Sequence, residues 1–293
     1  MNQQSRAYLY AMTSVLLWST VASAFKISLR YLSPVELLFY SACFSCCVLF
    51  LVLLFQSKLY LFRQADRRIW VTSLFFGLLN PFIYYLILFK AYELLPAQQA
   101  QPLNYTWAIT LSLLSVPFLG HRLRLLEICA VFVSYFGVLV ISTKGNLLAL
   151  EFDNPLGVML ALGSTVIWAV YWLVNTRDKR DPVLGLFMNF FCALPCITIY
   201  LLVFEGFRPV ALPGLIGAAY IGCFEMGIAF ITWLLALKLT SSTARIANLI
   251  FVSPFLSLIL IHFLVGEEIL VSSIVGLIFI VGGLLLQALA VRR

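Results

Sequence analysis

The chain is 293 residues long, 63% hydrophobic and only 11% charged, with a net charge of +7. An ordinary soluble domain carries nearer a quarter charged residues, so that class is excluded. The basic residues are spread over short connections with no dense run, which argues against a nucleic-acid-binding surface.

Ten apolar segments follow one another, at about 7–25, 33–55, 70–89, 97–119, 124–142, 155–175, 182–204, 212–237, 241–264 and 269–290. Each is long enough to cross a ~30 Å hydrocarbon layer as a helix. The first segment follows MNQQSR and ends near Ala22, Ser23 and Ala24, a pattern shared with cleavable signal peptides. It also carries Trp18, which has an image at Trp168, and cleavage would leave that pairing broken, so retention is the expectation. Fourteen of the nineteen Lys and Arg residues fall on the side of the N-terminus. By the positive-inside rule both termini are then cytoplasmic.

The segments repeat. Gly77, Asn80 and Ala91 sit over Gly222, Glu225 and Ala236 at one offset of 145 residues. Pro34 has its image at Pro182, Gly120 at Gly266 and Gly137 at Gly283. The chain therefore reads as two units, 1–145 and 146–293, of five spans each. Five is odd, so the second unit enters the membrane from the opposite face. The expected fold is an all-α membrane protein of ten transmembrane helices in two inverted repeats, an arrangement that suits alternating access.

All seven cysteines fall inside expected spans. Soft-metal ligation by Cys43, Cys46 and Cys47 is conceivable. Packing as small hydrophobes is the plainer reading, and no metal is expected.

The order of these marks resembles the EamA group of the drug/metabolite transporter superfamily. Each half opens on a Trp-bearing helix, the second helix of each half follows Pro, and each fifth helix carries a late Gly. The run Gly266, Glu267, Glu268 is close to the family's usual one, whereas His121 and Arg122 stand where acids are usual in the first half. The resemblance implies a basket of ten helices around a central cavity. The third, fourth, eighth and ninth helices supply most of its wall, the first, second, sixth and seventh its gates, and the fifth and tenth its periphery. It further implies a secondary carrier, often an exporter of amino acids and other small metabolites.

Polar side chains at mid-membrane are costly and usually face a cavity or a partner. Glu225 stands at the middle of the eighth span. It is placed to exchange a proton or to meet a substrate amine, and Ala229 and Thr232 share its face at helical spacing. Its image Asn80 is followed one turn on by Tyr84. Gln98, Gln101 and Tyr105 share a face of the fourth span, with Asn104 beside them. Arg245 and Asn248 begin the ninth; Arg245 either snorkels to the interface or grips a carboxylate. Trp18, Trp168 and Tyr171 are the aromatic candidates for stacking on a flat solute or a cation.

No phosphate-cradling motif, no His-Glu-x-x-His run and no nucleophile–base pair appears, so enzymatic roles are not expected and no cofactor is implied. The expected function is that of an inner-membrane secondary transporter that exports a small organic metabolite such as an amino acid, with proton coupling as an option. The partners are its solute and the lipid bilayer, with no nucleic acid; the fifth and tenth helices are free to pair with a second copy as a homodimer. An uncoupled facilitator is the first rival, and a non-transporting membrane enzyme or receptor scaffold the second.

Overall fold

Prolines and small polar caps fix where the helices begin. In this computed structural model, which describes residues 3–119, 124–148, 152, 154–175, 178–240, 246 and 248–291, every regular element among the described residues is helical. The long helices are α1 (Gln3–Ser28), α2 (Pro34–Phe55), α3 (Arg67–Leu94), α4 (97–119), α5 (Leu125–Ser142), α6 (Pro155–Asn175), α7 (Pro182–Phe204), α8 (Leu212–Leu237), α9 (Leu249–Val265) and α10 (Val271–Val291), with a short helix at Leu59–Arg63 in the connection between α2 and α3. Among them eight are long and apolar enough to cross a membrane. The two others are α4, which divides into Ala97–Tyr105 and Trp107–Leu119 with a break at Thr106, and the shorter α9.

Pro34 and Pro182 occupy the first positions of α2 and α7, where a missing N–H costs nothing. Ahead of Pro34, Ser33 and Glu36 form a reciprocal capping box, the Ser33 hydroxyl accepting from Glu36 N–H and the Glu36 carboxylate from Ser33 N–H. Ahead of Pro182, the Asp181 carboxylate accepts from the N–H groups of Val183 and Leu184.

Asp181 also meets Lys58 at 2.7 Å, joining the α2–α3 connection to α7. Partial burial pushes its carboxyl up, but the Lys58 ammonium and the two backbone N–H groups outweigh that and hold it below the usual carboxylate range. A depressed folded-state value means that the stabilisation is present above the unfolded value and is lost as pH falls through the folded one. Melting temperatures of wild type and Asp181→Asn should therefore differ at neutral pH and converge below about pH 4. A constant gap across the acid range would refute the role.

Close approach elsewhere depends on glycine. A Cβ on Gly77 would lie 2.3 Å from the Asn189 carbonyl oxygen, so α3 packs backbone to backbone on α7. A Cβ on Gly222 would lie 2.3 Å from the Ser41 carbonyl oxygen, so α8 packs likewise on α2. Gly137 and Gly283 bring α5 and α10 together, their Cβ positions falling 2.5 Å from the Gly276 oxygen and 2.7 Å from the Ala130 oxygen. Small residues permit such contacts in lipid, where no hydrophobic force draws helices together.

Beyond each of Gly77 and Gly222 the helix departs from regular α geometry. In α3 the segment Leu78–Ile83 is kinked at Asn80, whose backbone is extended (φ −146°, ψ 114°) ahead of Pro81, and in α8 a wide π-type turn spans Ile221–Ala229. Asn80 and Glu225 lie inside these two segments. Wide turns insert an extra residue and often mark functional sites.

Candidate functional site

The wide turn in α8 decides what faces the interior. In a regular helix Ala229 and Thr232 would follow Glu225 on one face. Here Ala229 is fully buried and the Thr232 hydroxyl is 2.7 Å from that of Ser14 on α1, while Phe230 and Trp233 line the same cavity as Glu225. The expected polar face is thus replaced by an aromatic one, because the extra residue advances the register by one position.

That cavity has a volume of ≈ 220 Å³ and draws its walls from α1, α3, α4, α6, α8 and α9. The wall differs from the expected one in that α1 and α6 contribute directly, with Trp18 and Phe25 from the first and Trp168 and Trp172 from the second. Most of the lining is aromatic. Trp168 is its hub: it stacks on Tyr84 with ring centroids 4.5 Å apart and on Tyr171 at 5.5 Å, and meets Phe230 edge-on at 5.7 Å. Trp18 packs on Trp233 at 5.2 Å.

The polar groups are few and placed by neighbours. Asn104 donates to Ser164 Oγ at 3.0 Å and lies 3.4 Å from the Tyr84 hydroxyl. The Tyr105 hydroxyl donates to Ser253 Oγ at 2.8 Å. Glu225 Oε1 accepts from the Tyr85 hydroxyl at 3.2 Å. Its Oε2 is buried and makes no hydrogen bond of normal geometry, the Trp18 indole being the neighbouring donor. Among the described lining residues Glu225 is the one charged group.

Of the residues singled out in the sequence, Trp18, Tyr84, Gln101, Asn104, Tyr105, Trp168 and Glu225 meet around this space. Asn80 does not: its buried amide lies behind the wall, beside the Tyr171 phenol. Tyr171 faces a different chamber, described below. Arg245 lies outside the described residues, as does the side chain of Asn248. Gln98 does not line the cavity and joins the start of α4 to the α9–α10 connection. Its amide donates to the Glu268 carbonyl at 2.7 Å and accepts from Leu270 N–H at 3.0 Å and Ser273 Oγ at 2.9 Å.

Two further charged residues that the sequence did not mark as functional cap the neighbouring helix ends. The Glu267 carboxylate accepts from the N–H groups of Ala97 and Gln98 at 2.7 and 3.1 Å, capping the start of α4 where the helix dipole favours an anion. Lys26 donates to the carbonyls of Tyr92 and Leu95, both at 2.7 Å, and so caps the end of α3. Trp172, Phe230 and Trp233 separate the cavity from a second chamber of ≈ 210 Å³ that reaches Asp178 and Arg180. Trp172 was legible in principle, one turn beyond Trp168. Phe230 and Trp233 were not, since only the wide turn brings them round.

A profile of the EamA-like transporter family matches residues 5–143 and again 155–289. The aromatic amino acid exporter YddG of Ancylobacter novellus is 26% identical over 293 residues, covering 99% of both chains. The uncharacterized transporter YvbV of Bacillus subtilis is 24% identical over 280 residues, 91% of this chain and 86% of that one. An uncharacterized transporter of Clostridium kluyveri is 26% identical over 200 residues, and the match spans 63% of its length. A protein of known crystal structure superposes with a TM-score of 0.68 at 25% identity, over 99% of this chain and 98% of that one. With several helices able to cross a bilayer and a family match over nearly its whole length, this chain is a multi-pass membrane protein that belongs to the EamA-like transporter family.

Proposed function

We propose that the protein is a secondary transporter that moves amino acids with apolar or aromatic side chains across the inner membrane, outward, by alternating access. The observation that carries this reading is one buried carboxylate, Glu225, with an unpaired oxygen in an otherwise aromatic cavity. A buried anion held by a phenol and with no cation among the lining residues is unfavourable, so the site favours a ligand that brings a cation. An ammonium group meets Glu225, and the rings of Trp18, Trp168 and Tyr84 take up an apolar or flat side chain. Without substrate, a proton satisfies Glu225, and exchange of one for the other couples transport to inward proton flow. Asn80, the image of Glu225, carries no charge, so coupling resides in the second half alone.

Inverted repeats over 1–145 and 146–293 are supported by the matched glycines Gly77 and Gly222, by the irregular segments that follow both, and by two successive matches to one family profile. Both termini are cytoplasmic, from the distribution of basic residues. The contacts of Gln98 and Glu267 at the start of α4 then close the outer end, and their rupture opens the cavity outward.

Flux measurements in proteoliposomes test this. L-tryptophan and L-phenylalanine should be carried and driven by a pH gradient, whereas indole-3-propionate, which lacks the ammonium, should not. Flux of L-tryptophan that ignores the gradient would leave an uncoupled facilitator. Saturable binding with no flux of any aromatic amino acid would overturn the proposal.

A further inference from the structure

The second chamber holds a charge pair that the central cavity lacks. Arg180 and Asp178 form a bidentate pair, the guanidinium Nη2 donating to Oδ2 at 2.7 Å and Nε to Oδ1 at 3.0 Å, with side chains only 8% and 13% exposed. The guanidinium also donates to Ser73 Oγ on α3 and to Asn189 Oδ1 on α7, and lies 5.3 Å from the Phe76 ring centroid. It is therefore held in place by two helices. Ion pairs removed from water rarely recover their desolvation cost by mutual attraction alone, which directs attention to a role beyond stability. The chamber wall also includes Asn175 and Trp172, and the Trp172 indole N–H is buried with no acceptor.

We propose that this chamber is a second binding site, one that recognises the zwitterionic end of an amino acid. The zwitterion replaces part of the bonding between Arg180 and Asp178: its carboxylate lies against Arg180 and the Trp172 indole, its ammonium against Asp178, and its side chain on Phe230 and Trp233, which the two chambers share. The central cavity offers a carboxylate only and so accepts an amine with or without a carboxylate. The second chamber offers both signs and rejects a ligand lacking either. Selection of amino acids over simple amines is made here, before the ligand passes the aromatic partition. The inference rests on the amino acid reading given above.

Calorimetric titration of the full chain in lipid nanodiscs with L-tryptophan and with tryptamine tests it. Wild type should bind two molecules of L-tryptophan and one of tryptamine. Glu225→Gln should keep one L-tryptophan site and lose tryptamine. Gly185 lines the chamber and its Cβ direction points at the Arg180 guanidinium 3.5 Å away, so Gly185→Leu fills the space. That variant should bind one L-tryptophan and still one tryptamine. If Gly185→Leu does not fold, Asp178→Asn should weaken one of the two L-tryptophan sites by about tenfold or more. A single L-tryptophan site in a wild type that still transports it overturns this inference alone, as does an unaltered two-site isotherm in Asp178→Asn. Absence of binding and flux for both ligands overturns it together with the proposed function.

Discussion

Glu225→Gln should abolish the response of L-tryptophan flux to a pH gradient and lower the flux itself by about 10- to 100-fold. The substitution preserves size and the acceptor that Tyr85 uses, and it removes the charge. A charge-assisted hydrogen bond is worth about twice a neutral one, so an ammonium loses most of its attraction to this position. Two controls separate this loss from misfolding. The variant should elute from size exclusion like wild type, and Glu225→Asp should recover part of the activity, because a shorter carboxylate still reaches the same cavity. Gradient-driven flux that survives Glu225→Gln unchanged would remove Glu225 from the mechanism. Gln98→Ala, which breaks the contacts at the start of α4 and leaves Glu225 alone, should by contrast leave the gradient response in place.

The second large effect is on stability. Gly222→Val places a Cβ 2.3 Å from the Ser41 carbonyl oxygen and 2.8 Å from Phe44 Cβ. The first of these is backbone, so no rotamer change relieves it, and α8 must separate from α2. Overpacking costs about 1–3 kcal/mol where neighbours can yield, and a backbone neighbour yields least. Gly77→Val should behave alike, since the Asn189 carbonyl stands 2.3 Å from its Cβ position. Gly163 is the control: nothing lies within 4 Å of its Cβ position in α6. Gly163→Ala should raise stability, by roughly 0.5–1 kcal/mol, through helix propensity. Thermal melts in detergent of the three variants check the ranking. A Gly222→Val melt equal to wild type would show that α2 and α8 separate without cost, which refutes the close backbone contact.

The pairing of Gly77 with Gly222 connects these results. In the sequence the two glycines mark equivalent points of a repeat. In the structure each admits a crossing helix and each is followed by a break in regular helix geometry, a kink at Asn80 and a wide turn carrying Glu225. Close packing and the candidate site are thus set by adjacent residues, and a change in one is expected to disturb the other.

The one-dimensional record was enough to establish membrane-length apolar helices, where they begin, and which residues carry polarity into the membrane. Those properties depend on local composition: hydropathy, a proline at a first turn, a cap before it. Seven of the twelve residues it singled out line one central cavity, because a polar or amphipathic group at mid-membrane has few other tolerable locations. What it missed depends on relations between distant segments. Phe230 and Trp233 face the cavity only because one extra residue in a turn rotates everything after it by about 100°. Gln98 joins α4 to the α9–α10 connection because Glu267 and Ser273, some 170 residues away, come to the start of α4. The Arg180–Asp178 chamber exists because Ser73 and Asn189 reach one guanidinium from two helices. Helical periodicity predicts a face only while the period holds, and no local pattern states which helix will stand opposite it.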